Sequence, residues 1–313
     1  MTILITGGGG YIGTLLTNKL IKKNQKIKVI DNFWFGNFLK KNRNLNIVKK
    51  DILNCTLKDL KGIKTIIHLA SVANDPASNL DPKLTWEISC LGTMKLCELA
   101  KKIGVKKFIF ASSGSVYGIK KEKKVHENLD LVPISDYNKT KMIAEKVIES
   151  YKNYFDYYLI RPGTVFGYSP RMRLDLMINI LTFQALTKKN ITVFGGKQIR
   201  PYIHINDMVD IYEFFLINKK KSGIYNASTG NLSALNTALE IKKIIPDCKI
   251  NIKSSNDPRS YRLNNEKIIK SGFKFKVDLK HGIQDFINQF LKGKIKKKPS
   301  AYSVDFINKI KRK

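Results

Sequence analysis

The chain has 313 residues, with 57 Lys or Arg against 25 Asp or Glu and a formal charge of +32. No stretch approaches the ~18 uninterrupted apolar residues of a membrane helix. Four scattered cysteines (Cys55, Cys90, Cys97, Cys248), none in a CxxC pair, argue against a zinc site or a disulfide framework. The positive excess invites a nucleic-acid reading, but only eight of the basic residues are Arg. Lys spread over solvated faces is not the Arg-and-aromatic pattern of a nucleic-acid groove, so no nucleic-acid partner is expected. Met1 leads directly into a strand-like run with no basic-then-apolar leader, which makes a cytoplasmic protein the expectation.

Residues 3–6 read as a strand, followed by Gly7 to Gly10 and a helix over 11–22. Residues 26–30 form a second strand ending at Asp31, 46–49 a third and 65–69 a fourth. Helical periodicity covers 84–103, with Leu91, Met94, Leu96 and Leu99 at its apolar positions. A fifth strand over 108–111, a long helix over 135–154 and a sixth strand over 157–160 complete the alternation. Strands alternating with helices imply right-handed β-α-β units and a parallel sheet covered on both faces. The second half is less regular. It gives helices over 175–187, 206–216, 236–245 and 282–291, and strands over 191–194, 223–227 and 250–253. In the lysine-rich tail after Gly293, Tyr302, Phe306 and Ile310 recur at helical spacing, as in an amphipathic segment that docks on the body with partial fraying.

The most informative segment is Thr6-Gly7-Gly8-Gly9-Gly10-Tyr11-Ile12-Gly13, between a strand and a helix. Gly7 suits a tight turn, Gly10 lets backbone approach a pyrophosphate, and Gly13 lets helix and strand pack closely. The helix N-terminus then offers N–H groups and a positive dipole end to phosphate. Asp31, at the end of the next strand, stands near the roughly 20-residue offset of a ribose-binding acid. A carboxylate there accepts from both ribose hydroxyls and repels a 2′-phosphate, favouring NAD over NADP.

Tyr137 and Lys141 lie four apart on a predicted helix and share a face. A nearby ammonium stabilises phenolate, which makes Tyr137 a candidate general base for a hydroxyl undergoing oxidation. Ser112 to Gly118 follow the fifth strand, where a doubly wound sheet opens its ligand crevice, so Ser113 is placed to bond the same substrate oxygen. No His, Cys and Asp cluster has metal-ligand spacing, and no metal is expected. His68 and His204 read as structural histidines.

These segments resemble the extended short-chain dehydrogenase/reductases, and within them the NAD-dependent epimerase/dehydratase family. The resemblance runs through Gly7 to Gly13, Asp31-Asn32, Asp51-Ile52, His68 to Ser71, Ser112 to Gly118 and Tyr137 to Lys141. It continues through Arg161 to Gly167, Arg200 to His204 and Asp257 to Tyr261. It implies an α/β fold: a Rossmann-type doubly wound parallel sheet with a smaller C-terminal substrate-binding α/β domain. The expected division is 1–165 with a returning segment near 196–227 for the cofactor, 166–195 and 228–293 for the substrate, and 294–313 as a basic tail.

The cofactor implied is NAD, bordered by Gly7, Gly10, Tyr11, Ile12, Gly13, Asp31, Asn32, Asp51, Ile52, Leu69, Ala70, Ser71, Ala111, Tyr137, Lys141 and Pro162. The substrate implied is a nucleotide-diphosphate sugar held by Ser113, Thr164, Arg200 and Arg259, with Arg171 and Arg173 either adding to this grip or facing solvent. The chemistry implied is hydride transfer at C4, with the catalytic roles on Tyr137, Lys141 and Ser113, and a homodimer is expected. UDP-glucose 4-epimerases usually carry Asn where Ser89 and Thr164 stand. The 4,6-dehydratases carry an Asp-Glu pair where Gly114 and Ser115 stand, which disfavours dehydration. The segment 166–176 is similar to a subgroup that includes GDP-heptose C4-oxidising enzymes. Net 4-oxidation or 4-keto reduction, and an RNA-binding protein on the same fold, are the alternatives.

Overall fold

The computed structural model of the chain describes residues 2–255 and 260–311. Among these residues the strands, in chain order, are β1 (Thr2–Thr6), β2 (Lys26–Asp31), β3 (Leu45–Lys49), β4 (Ile63–His68), β5 (Lys107–Ala111) and β6 (Asp156–Pro162). They continue with β7 (Thr164–Phe166), β8 (Asn190–Phe194), β9 (Ile199–His204), β10 (Gly223–Ala227), β11 (Gly230–Ser233) and β12 (Lys249–Lys253). Seven of them form one parallel sheet in the order β10-β6-β5-β4-β1-β2-β3. The doubly wound α/β architecture expected from the sequence is therefore present.

Side chains alternate across a strand, and the two faces of the sheet feed two cores. Ile3, Ile5, Val29, Ile67, Ile109 and Ile160 enter one. Leu4, Ile30, Ile66, Phe108, Phe110 and Leu159 enter the other. After β1 the chain winds outward through β2 and β3, then returns to place β4 on the other side of β1. The C-terminal ends of β1 and β4 therefore flank the switch point, where such sheets open a ligand crevice.

The remaining strands build a smaller unit. β9 pairs in parallel with β7 and antiparallel with β11, while β12 pairs with β8. Phe166, Ile178, Leu181, Ile191, Val193, Ala238, Ile241 and Ile283 form its core. Because β9 belongs here, the chain returns to the large sheet through the helix Ile205–Ile217 and not from residue 196. The short strands β7, β9 and β11 were not expected. β9 carries Pro201, and β7 and β11 are too short to display alternation.

The helix expected over 84–103 is divided. A helix Pro82–Trp86 passes through a π turn, Glu87–Leu91, into the helix Gly92–Ile103. The wider turn brings the buried Ser89 hydroxyl to 3.0 Å from Ser71 Oγ and 3.2 Å from the Val72 amide. Leu91 and Met94 face outward, while Leu96 and Leu99 are buried. The tail folds back on the body as a helix, Ser303–Lys311. Phe306 stacks on Trp34 at 5.4 Å and meets Phe35 at 4.8 Å, and Ile307 is buried.

Candidate active site

A cavity of about 610 Å³ opens at the switch point. Its walls include Gly7, Gly10, Tyr11, Ile12, Gly13, Asp31, Asn32, Asp51, Ile52, Leu69, Ala70, Ser71, Ala111 and Pro162, together with Ser113, Tyr137, Lys141, Thr164, Arg171 and Arg200. Of the residues singled out from the sequence, Arg259 lies outside the described residues.

The glycine bend is shaped by close approach. Gly7 has φ +71°, and a Cβ on it would lie 2.6 Å from the Ala70 amide nitrogen. A Cβ on Gly13 would lie 2.2 Å from the Gly7 carbonyl oxygen, so the helix Tyr11–Lys22 sits against the bend as only glycine permits. The helix begins without a side-chain cap, which leaves its first amides to the cavity. Asp31 closes the bend from the side. One carboxylate oxygen accepts from the Gly9 amide at 2.8 Å, the other from the Phe33 amide at 2.6 Å. Burial raises the Asp31 pKa, against these two amides and the charge of Arg171.

Tyr11 ties this bend to the smaller unit. Its hydroxyl donates to the Gly167 carbonyl at 2.6 Å and accepts from Asn179 at 3.0 Å, while its own carbonyl accepts from Ser169 at 2.7 Å. Burial pushes the Tyr11 phenol well above its usual range.

The helix Asp136–Ser150 starts at Ser135, whose hydroxyl caps the Asn138 amide. It presents Tyr137, Lys141 and Glu145 at successive turns. The buried Lys141 ammonium donates to the Ala111 carbonyl at 2.7 Å and lies 5.9 Å from the centre of the Tyr137 ring. Burial brings the Lys141 pKa down to about 7, with Glu145 opposing. Glu145 grips Arg161 through two bonds of 2.9 and 2.6 Å and accepts the Ser112 hydroxyl. This buried pair fixes the floor under Ser112 and Ser113. Ser113 in turn caps a short 3-10 turn, Gly114–Tyr117, accepting from the Ser115 amide at 3.2 Å.

His68 sits below Lys141. Thr93 donates its hydroxyl to the Ser89 carbonyl, so His68 Nε2 must donate to Thr93 Oγ, and Nδ1 accepts from Thr6. Burial, reinforced by Lys141, lowers the His68 pKa to about 3 and keeps the ring neutral. Burial likewise lowers His204, the cap of the helix Ile205–Ile217, to about 4. Both histidines are buried, and neither lines the cavity.

Arg171 and Arg173 do not face solvent. Arg171 is buried, with its guanidinium 3.9 Å from the Phe35 ring centre and within electrostatic reach of Asp31. Its charge lies within reach of the Arg173–Asp175 pair, Tyr11 and Asp31, and it lines the cavity together with Arg200. Its buried Nε has no hydrogen-bond partner among the described residues. Burial and then the like charge of Arg173 bring its pKa down to about 9. Arg173 makes a two-bond pair with Asp175, at 2.9 and 3.0 Å. Asp175 also accepts from Asn74 and from the Ser303 amide of the tail helix. Burial pulls the Asp175 carboxyl up, but Arg173 outweighs it and holds the pKa near 2. Arg200, on β9, lines the far wall with Gln184, Thr192 and Gln198. Phe33, Trp34, Phe35, Asp75, Asp175 and Ser303 also line the cavity. Sequence reading missed them because their motifs are local, whereas this wall joins residues more than a hundred positions apart.

The space beside the glycine bend, the acid at the end of β2 and the unpartnered Arg171 Nε fit a dinucleotide. Fold and cavity together define a dinucleotide-binding α/β enzyme of the doubly wound class. The sequence matches the NAD dependent epimerase/dehydratase family over residues 3–228, and the chain belongs to that family, which is NAD-dependent. A protein of Methanocaldococcus jannaschii provisionally named UDP-glucose 4-epimerase is 30% identical over 91% of this chain and 97% of its own length. UDP-glucuronic acid decarboxylase 1 of Arabidopsis thaliana is 27% identical over 93% of this chain and 70% of its own. The crystal structure of Bacillus cereus UDP-glucuronic acid 4-epimerase in complex with UDP-glucuronic acid and NAD superposes with a TM-score of 0.83. It is 28% identical and covers 93% of this chain and 99% of that one. No helix among the described residues is long and apolar enough to cross a membrane.

Proposed function

We propose that the chain is a 4-epimerase of a nucleotide-diphosphate hexose. The observation that carries this reading is Tyr137 and Lys141 on one face of a helix, in the same cavity as Ser113, the glycine bend and Asp31. NAD is assigned to the bend, with Asp31 on the adenosine ribose and Asn32, Asp51 and Ile52 beside the base. Bound there, the nicotinamide supplies a reversible hydride acceptor. Tyr137 takes the proton of the C4 hydroxyl, Lys141 favours the phenolate, and Ser113 bonds the same oxygen. The proton goes back from Tyr137 when hydride returns to the opposite face of the 4-keto sugar, so C4 inverts with no net oxidation. Arg200 is assigned to the diphosphate, which a guanidinium can grip with two bonds.

Gly114 and Ser115 provide no carboxyl group after Ser113, which disfavours elimination across C5 and C6. The relationship to a decarboxylase favours a second reading, in which a 4-keto uronate loses carbon dioxide. One experiment separates them. The protein is incubated with UDP-glucose or UDP-glucuronate and catalytic NAD, and the sugars are followed by NMR. A C4 isomer supports the proposal, and a pentose supports decarboxylation. Stoichiometric NADH with a released oxidised sugar means a net dehydrogenase. No change in any nucleotide sugar of a UDP, GDP and dTDP panel overturns the assignment.

A further inference from the structure

Behind Ser113 runs a chain of hydrogen bonds with one allowed direction. The Asn138 amide nitrogen lies 3.2 Å from Asp75 Oδ1, which also accepts from Ser135. A carboxylate oxygen takes the donor end of the amide, so the Asn138 carbonyl oxygen must point the other way, to the Ser115 hydroxyl. Ser115 spends its one proton on that oxygen. The 2.7 Å contact between Ser115 Oγ and Ser113 Oγ then needs its proton from Ser113. The Ser115 amide occupies one lone pair of Ser113 Oγ at 3.2 Å. One lone pair and no proton are left for a ligand.

We propose that Asp75, Asn138 and Ser115 are positioning residues that set Ser113 as a hydrogen-bond acceptor toward the cavity, so that Ser113 selects a sugar bearing a hydroxyl donor at the reacting carbon. The inference rests on the C4 reading above. Ser113 cannot pass a proton to or from the substrate while this chain holds. The proton exchanged at C4 therefore belongs to Tyr137 alone: the hydroxyl of either epimer has a single proton, which rests on Ser113 in the bound state and turns to Tyr137 for reaction. The arrangement depends on Asn138 directly after Tyr137 and on a small hydroxyl residue at 115. It joins the tyrosine helix, the turn after β5 and the helix Asp75–Leu80.

The test uses the full chain loaded with NAD in a Tyr137→Phe background, where the ligand is not consumed and the phenol does not compete for it. Calorimetry compares UDP-glucose with UDP-4-deoxy-4-fluoroglucose, whose fluorine cannot donate. Loss of one directed hydrogen bond predicts a roughly fivefold to tenfold preference for the hydroxyl. Adding Ser115→Ala frees the Ser113 proton to turn toward the ligand, and the preference falls to near unity. Ser115→Thr, which keeps the hydroxyl, restores it. Asn138→Ala is expected to act as Ser115→Ala does. Equal preference with Ser115 present and absent overturns the relay, even if turnover supports the C4 reading. Failure to bind either nucleotide sugar overturns the C4 reading and the relay with it.

Discussion

Lys141 donates its ammonium to the carbonyl oxygen of Ala111 at 2.7 Å, fastening the helix that carries Tyr137 to the end of β5. The charge is held in a buried place, and this sets a conflict between stability and chemistry. Lys141→Met removes the cation and keeps much of the volume. Activity is expected to fall by at least about a hundredfold, since the phenol loses its cation. The folded Lys141 pKa of about 7 lies below the ordinary value of 10.5. Between these values the folded chain binds fewer protons than the unfolded one, so wild-type stability rises with pH through that window. The variant's melting midpoint is therefore expected to exceed that of the wild type by about 2 °C or more below pH 7. The gain shrinks as pH climbs toward 10. Thermal unfolding across pH checks the sign, and a gain that grows with pH would refute it.

Gly13→Ala places a methyl group where only 2.2 Å separates it from the Gly7 carbonyl. Backbone must move, and the bend that would meet the phosphates moves with it. NAD affinity is expected to fall by at least about tenfold, the equivalent of roughly 1.4 kcal/mol. Isothermal titration of NAD into both proteins measures it.

Asp31→Ser should change the cofactor preference. The substitution removes the carboxylate that repels a 2′-phosphate and leaves Arg171, with its unpartnered Nε, facing the same end of the cavity. NAD is expected to bind about tenfold more weakly and NADP more tightly than in the wild type. Parallel titrations with the two dinucleotides test this, and a variant that still rejects NADP would count against placing the ribose at Asp31.

Removal of the tail from residue 300 onward uncovers Trp34 and Phe35, which Phe306 covers, and takes away the Ser303 amide that Asp175 accepts. The shortened chain is expected to show red-shifted tryptophan emission and faster release of NAD. Fluorescence and stopped-flow displacement read these two effects, and an unchanged release rate would show that the tail does not restrain the cofactor.

The glycine bend, Asp31 and the Tyr137–Lys141 pair were legible because each is a local pattern on a predicted element. The alternation of strands and helices made the large sheet legible for the same reason. The pairing of Arg173 and Asp175 with Asn74 and Ser303 had no local signal, because it depends on three distant segments meeting at one wall. The stacking of Arg171 on Phe35 had no local signal, because an arginine in a sequence shows its charge and not its neighbours. The π turn at Glu87–Leu91 preserves helical periodicity on both sides, so periodicity could not reveal it.

Tyr11 bears on how the molecule can open. With its hydroxyl on Gly167 and its carbonyl on Ser169, the phosphate-facing bend and the first strand-to-helix segment of the smaller unit travel as one block. Any breathing that admits a sugar nucleotide must then hinge elsewhere. The opposite rim is built by Gln184, Thr192 and Arg200, and entry from that side would leave a dinucleotide undisturbed in its seat between one turnover and the next.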